Sequence, residues 1–124
     1  MDECLFCIPQ EGRVFLENDL AFALWDAFPV TELHTLIVPR RHAQDYFALV
    51  PEELLACDDL LRKARELVQS TDSSVEGFNV GANVGDVAGQ TIFHCHIHLI
   101  PRRSGDVENP RGGVRHLIPG KGAY

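Results

Sequence analysis

The chain has 124 residues, enough for one domain with a single core but not for two. Its 45% hydrophobic and 23% charged residues are those of an ordinary globular protein. A net charge of -7 leaves no surplus of cations to neutralise a phosphate backbone, which argues against nucleic-acid binding.

No apolar run approaches the roughly 18 to 20 residues of a membrane span, and the start Met1-Asp2-Glu3 is unlike a signal peptide. A soluble, cytoplasmic protein with no membrane partner is expected. In that compartment Cys4, Cys7, Cys57 and Cys95 are expected to be reduced or metal-bound rather than disulfide-paired. Charge is unevenly spread: residues 100–124 carry Arg102, Arg103, Arg111, Arg115 and Lys121 against only Asp106 and Glu108. Such a basic tail suits a small anionic ligand or is simply a solvated segment.

Taken in order, Cys4-Leu5-Phe6-Cys7 opens the chain and Pro9-Gln10-Glu11-Gly12 reads as a turn. Residues 13–17 and 20–25 read as strands of a hairpin joined at Asn18-Asp19. His34-Thr35-Leu36-Ile37-Val38 is a third strand, stopped by Pro39. Residues 42–49 suggest a short helix, and a longer one begins at Pro51, with Glu52 and Glu53 in the first turn. Leu54, Leu55, Leu61, Ala64, Leu67 and Val68 give it an apolar stripe, and residues 70–74 end it.

Residues 78–82 are a further strand, followed by the glycine-bearing loop 83–89. The tail, 105–124, is expected to be an ordered loop that buries Val107, Val114, Leu117, Ile118 and Tyr124. About five strands, one principal helix and one short helix make a single α+β domain over 1–124, with a mainly antiparallel sheet.

The most informative stretch is His94-Cys95-His96-Ile97-His98. Histidines at every second residue fit a strand, with the imidazoles on one face and Cys95, Ile97 and Leu99 in the core. At roughly 3.3 Å per residue, His94 and His98 would lie about 13 Å apart, and Pro101 would end the strand. Ligands spaced two apart on one strand can rarely all reach one ion. A neutral imidazole can instead attack an electrophile and split one displacement into two, and His96, flanked on both sides, is the natural candidate. Upstream, Gly85 and Gly89-Gln90-Thr91 offer amides and a hydroxyl to a phosphoryl oxygen.

The run Gly89-Gln90-Thr91-Ile92-Phe93-His94-Cys95-His96-Ile97-His98-Leu99-Ile100-Pro101-Arg102 closely resembles the signature of the histidine triad (HIT) superfamily of nucleotide hydrolases and transferases. The resemblance extends to residues 22–26 and 34–42 and spans about 4–102, with 103–124 as a tail packed near the site. It looks nearest the fragile-histidine-triad branch, which cleaves dinucleoside polyphosphates, with nucleoside phosphoramidases close behind. The resemblance implies a HIT-like fold and a nucleophilic His96 that attacks an α-phosphorus. His98 would hold the phosphate, with His94 and His34 supporting. Asn83, Gly89, Gln90 and Thr91 would contact phosphate or leaving group, Asp26 the ribose hydroxyls, and Phe6, Leu24 and Leu36 the base. Cys4, Cys7, His42 and His94 match the ligands of a structural zinc in some members. The arginines 102, 103, 111 and 115 could hold distal phosphates. A homodimer is implied, with residues 51–69 and 77–82 as interface elements. A nucleotide-binding module without turnover, and a redox role for Cys4 and Cys7, are the rival readings.

Overall fold

A computed structural model describes residues 4–8 and 11–124, so the turn expected at 9–12 lies partly outside the described residues. Five strands form one antiparallel sheet: β1 (Val14–Glu17), β2 (Ala21–Trp25), β3 (Thr35–Pro39), β4 (Val75–Gly81) and β5 (Ile97–Arg103). Their order is β1-β2-β3-β5-β4, which places β5 between β3 and β4. The expected hairpin is present: the Asn18 side chain accepts from the Leu20 and Ala21 amides and closes the turn.

The helix α1 (Pro51–Thr71) packs on one face of the sheet. Its N-terminus is made by Pro51 in the first turn and by Glu53, whose carboxylate accepts from the Val50 amide at 3.0 Å. The same carboxylate takes two bonds from Arg41, at 2.8 and 3.0 Å. The expected stripe needs correction. The buried line is Glu53, Cys57, Leu60, Ala64 and Val68, whereas Leu55 is 72% exposed. A salt-bridged carboxylate and a thiol fill places where leucines were expected, because Arg41 satisfies the charge from outside.

Four further expectations are corrected. The segment 42–49 holds only a 3₁₀ turn, Tyr46–Ala48, capped by Asp45. Pro39 does not stop β3 but is its buried last residue, opposite Ala21. Likewise β5 runs through Pro101 to Arg103, where proline lacks only a donor. The tail residues Val107, Val114, Leu117, Ile118 and Tyr124 are all substantially exposed.

The two sheet faces are separate cores. Ala21, Ala23, Ile37, Cys95, Ile97 and Leu99 meet α1 through Cys57, Leu60 and Ala64. On the other face Phe22, Leu24, Leu36 and Val38 pack against Phe6. The histidines stand on this second face. Among the described residues, no helix is long and apolar enough to cross a membrane.

Candidate active site

Only His98 lies within β5; His94, in a bend, and His96 precede it outside the sheet. The alternation still holds, since Cys95, Ile97 and Leu99 are buried on the helix side. Leaving the ladder at residue 97 frees the segment to swing its imidazoles into different surroundings. His94 is fully buried, whereas His96 and His98 line a cleft of about 270 Å³, their rings 5.4 Å apart.

Backbone partners fix the tautomers. The His94 Nε2 lies 2.7 Å from the Pro39 carbonyl, which can only accept, so Nε2 carries the proton and Nδ1 keeps its lone pair. The His96 Nδ1 lies 2.8 Å from the His94 carbonyl, so Nδ1 is protonated and the Nε2 lone pair belongs to the cleft. Behind His98, the Val30 amide donates to His34 Nδ1 at 3.1 Å. The proton of His34 is therefore on Nε2, which donates to His98 Nδ1 at 2.9 Å. His98 is left with an Nε2–H donor. One ring thus offers a lone pair and its neighbour a proton.

The charge states agree with these tautomers. Burial first, then the nearby His96 and His34, push the His98 pKa down to about 4, while Asp26 opposes the shift. Burial likewise lowers His34, against the pull of Asp26 3.4 Å away. Both rings are neutral at pH 7. The turn that delivers His34 is strained: Leu33 has φ of 72°, unusual for a branched side chain.

Phe6, Asp26, Leu36, Asn83, Gly89 and Thr91 line the cleft with His96 and His98. Leu24 does not; it is fully buried beneath. Gln90 is a second correction. Its Oε1 accepts from the Gly85 amide, its Nε2 donates to the Gln44 and Ile92 carbonyls, and only 2% of it is exposed. It braces the 83–91 loop and does not face the cleft. Gly89 has φ of 94°, so its hydrogen side chain is required by the backbone and not by lack of space. Arg13, Phe28 and Ile92 also line the cleft, unforeseen; Phe28 follows Asp26 closely, but no pattern flagged Arg13.

The tail arginines are engaged elsewhere. Arg102 holds Asp106 and Asn79, Arg103 holds Asp72 and the Glu32 carbonyl, and Arg111 and Arg115 both lie over the Tyr124 ring. Among the described residues, none of 103–124 lines the cleft.

Two clusters bring metal-ligating residue types together. Cys4, Cys7, His42 and His94 bring ligand atoms within 4.8 Å of one another. The Cys4 and Cys7 sulfurs lie 3.3 and 3.5 Å from the unprotonated His94 Nδ1, and Cys7 lies 3.4 Å from His42 Nδ1. That Cys2His2 set fits a tetrahedral zinc, with the Pro39 carbonyl orienting one ligand from behind. The second cluster, Asp26, His34 and His98, does not fit. His34 would have to ligate through Nε2, and its proton is held there by the amide facing Nδ1.

A model of the HIT domain family matches residues 9–105. The chain belongs to the HIT family. It is 33% identical over 110 residues to a protein of Arabidopsis thaliana called adenylylsulfatase HINT3, covering 85% of this chain and 55% of that one. A HIT family protein from Bacillus anthracis superposes with a TM-score of 0.75 at 38% identity, covering 83% of this chain and 75% of that chain. A zinc-bound histidine triad family protein from Mycobacterium smegmatis does so with 0.73 at 29%, covering 83% and 77%. The α+β fold read from the sequence is the fold of these structures.

Proposed function

We propose that this HIT protein is a cytoplasmic nucleotide hydrolase or transferase of the fragile-histidine-triad type, cleaving dinucleoside polyphosphates at the α-phosphate. The observation that carries this reading is the opposed pair in the cleft, a His96 Nε2 lone pair beside a His98 Nε2–H. His96 Nε2 attacks the α-phosphorus; a P–N bond forms and the bond to the leaving phosphate breaks. His98 donates to the oxygen on which charge develops. Water then attacks the nucleotidyl-His96, the P–N bond breaks, and a nucleoside monophosphate leaves. Asp26 accepts from the ribose hydroxyls, while Phe6 and Leu36 wall the base. Asn83, Thr91 and the Gly89 backbone contact phosphate oxygens.

Zinc, where bound, is held by Cys4, Cys7, His42 and His94 and has a structural role, fixing the N-terminal turn. A homodimer is proposed through the open edge of β4, where Val80 is exposed, and through α1, where Leu55 is exposed.

The test follows nucleoside monophosphate release from diadenosine polyphosphates for wild type and His96→Ala, with mass spectrometry for a nucleotidyl adduct. Equal rates for the two proteins would end the reading. Faster release from a nucleoside phosphoramidate, or from adenylyl sulfate as the plant relative's name suggests, would keep the mechanism and change the leaving group. Tight mononucleotide binding with no turnover would favour a binding module.

A further inference from the structure

Phe6 reads as a wall of the base pocket, but its ring has other neighbours. It is buried, 5.0 Å from the His96 ring and 5.9 Å from that of His94. It sits between Cys4 and Cys7 on a 3₁₀ turn closed by the Cys7 amide on the Cys4 carbonyl. Both thiols reach His94 Nδ1, and Cys7 also reaches His42.

The Nδ1 hydrogen bond to the His94 carbonyl orients the His96 ring, and packing decides how far the ring can swing about that orientation. The Phe6 ring, 5.0 Å away and tilted by 55°, and the His98 ring, 5.4 Å away and edge-on, limit that swing. The plane decides where the Nε2 lone pair points, and hence whether attack is in line. Phe6 is in turn carried on the turn that runs from Cys4 to Cys7, both members of the Cys2His2 cluster.

We propose that Phe6 is a positioning residue for His96, and that it carries the state of the Cys4/Cys7/His42/His94 cluster to the nucleophile. The idea rests on His96 as nucleophile and on zinc filling the cluster. With the four ligands tied to one ion, the turn and the Phe6 ring are fixed. With the ion removed, weak thiol–imidazole contacts hold the turn, and the ring packed beside His96 loosens.

The experiment uses the full chain, zinc-loaded and chelated, as wild type, Phe6→Leu and Phe6→Tyr, with ¹⁵N-labelled histidine. Zinc content, KM, kcat and the His96 ring resonances are measured. Chelating wild type is expected to lower kcat about tenfold with KM within about twofold, and to mix the His96 tautomers. Phe6→Leu shows the same loss with zinc still bound, and chelation then adds little; Phe6→Tyr, which keeps an aromatic ring, restores the wild-type His96 resonances.

A rise in KM with kcat unchanged for Phe6→Leu leaves the ring only its role in the base wall and overturns the proposal. So does loss of zinc from Phe6→Leu, a wild type that binds no zinc, or a His96 response to chelation as large in Phe6→Leu as in wild type. The last would mean the signal travels through the His94 carbonyl instead. If no nucleotide is turned over, the functional reading fails separately, and the His96 resonances still decide this one.

Discussion

At the scale of single residues, the site works because two imidazoles 5.4 Å apart present opposite ends of a proton transfer. His96→Ala is expected to cost about 10⁴-fold or more in kcat/KM, and His98→Asn about 10²-fold, measured on the same dinucleoside polyphosphate. His98 also couples stability to pH. Its unfolded ring binds a proton below about 6.5. The folded ring resists protonation until about 4. The unfolded state therefore holds more protons across that window, and stability is complete above it and falls as pH drops through it. Urea midpoints between pH 4 and 7 should show a shallower slope for His98→Asn. Thiol chemistry divides as sharply: burial raises Cys57 to about 11 and Cys95 to about 12, so iodoacetamide at pH 8 should label the metal-free native protein only at Cys4 and Cys7. Spacing alone singled out His94, His96 and His98. The resemblance gave them separate roles, but the tautomers that fit each ring to its role were not legible, because the deciding partners are the backbone groups of Pro39, His94 and Val30.

At the scale of elements, α1 and β5 mark what the sequence revealed and what it hid. The start of α1 was legible from Pro51 and the acidic first turn, whereas its buried line was misread. Counting leucines cannot reveal that Arg41, ten residues before the helix, neutralises Glu53 and lets a carboxylate sit inward. The Arg41 hydrogen bonds hold the Glu53 pKa below the usual range, so this support is present above about pH 4.5 and lost as the pH falls through the folded value. Glu53→Gln should flatten the acid limb of a thermal-melt series below that pH. Leu60, 1% exposed between helix and sheet, should cost about 2 to 5 kcal/mol as Leu60→Ala in chemical denaturation. In β5 the period-two pattern set the right faces and the wrong starting residue, since pattern reports side-chain direction and not hydrogen bonding. The apolar tail residues misled for a related reason. Hydrophobic composition says that cover is wanted, but Val107, Val114 and Leu117 only line an open pocket beside Asn79 and Ile100 of the sheet and stay largely exposed.

At the scale of the molecule, the Cys2His2 cluster links the first turn of the chain to a residue 90 positions later. Zinc bound only by the folded form stabilises it by about 4 kcal/mol at a thousandfold excess over its dissociation constant. Calorimetry with and without a chelator should therefore show a lower Tm for the stripped protein, and Cys4→Ser should abolish the difference.

The strand order has a consequence in time. β4 is made before β5, yet it has no partner until β5 arrives and inserts between it and β3. A chain leaving the ribosome thus carries an unpaired edge on β3 and a wholly unpaired β4 until about residue 103 has emerged, and such edges invite pairing with other chains. Fragments ending at residue 96 should aggregate, whereas those ending beyond the sheet should fold. The strand that closes this gap is the one that begins beside His96 and bears His98, so the sheet and its chemistry are completed by the same few residues.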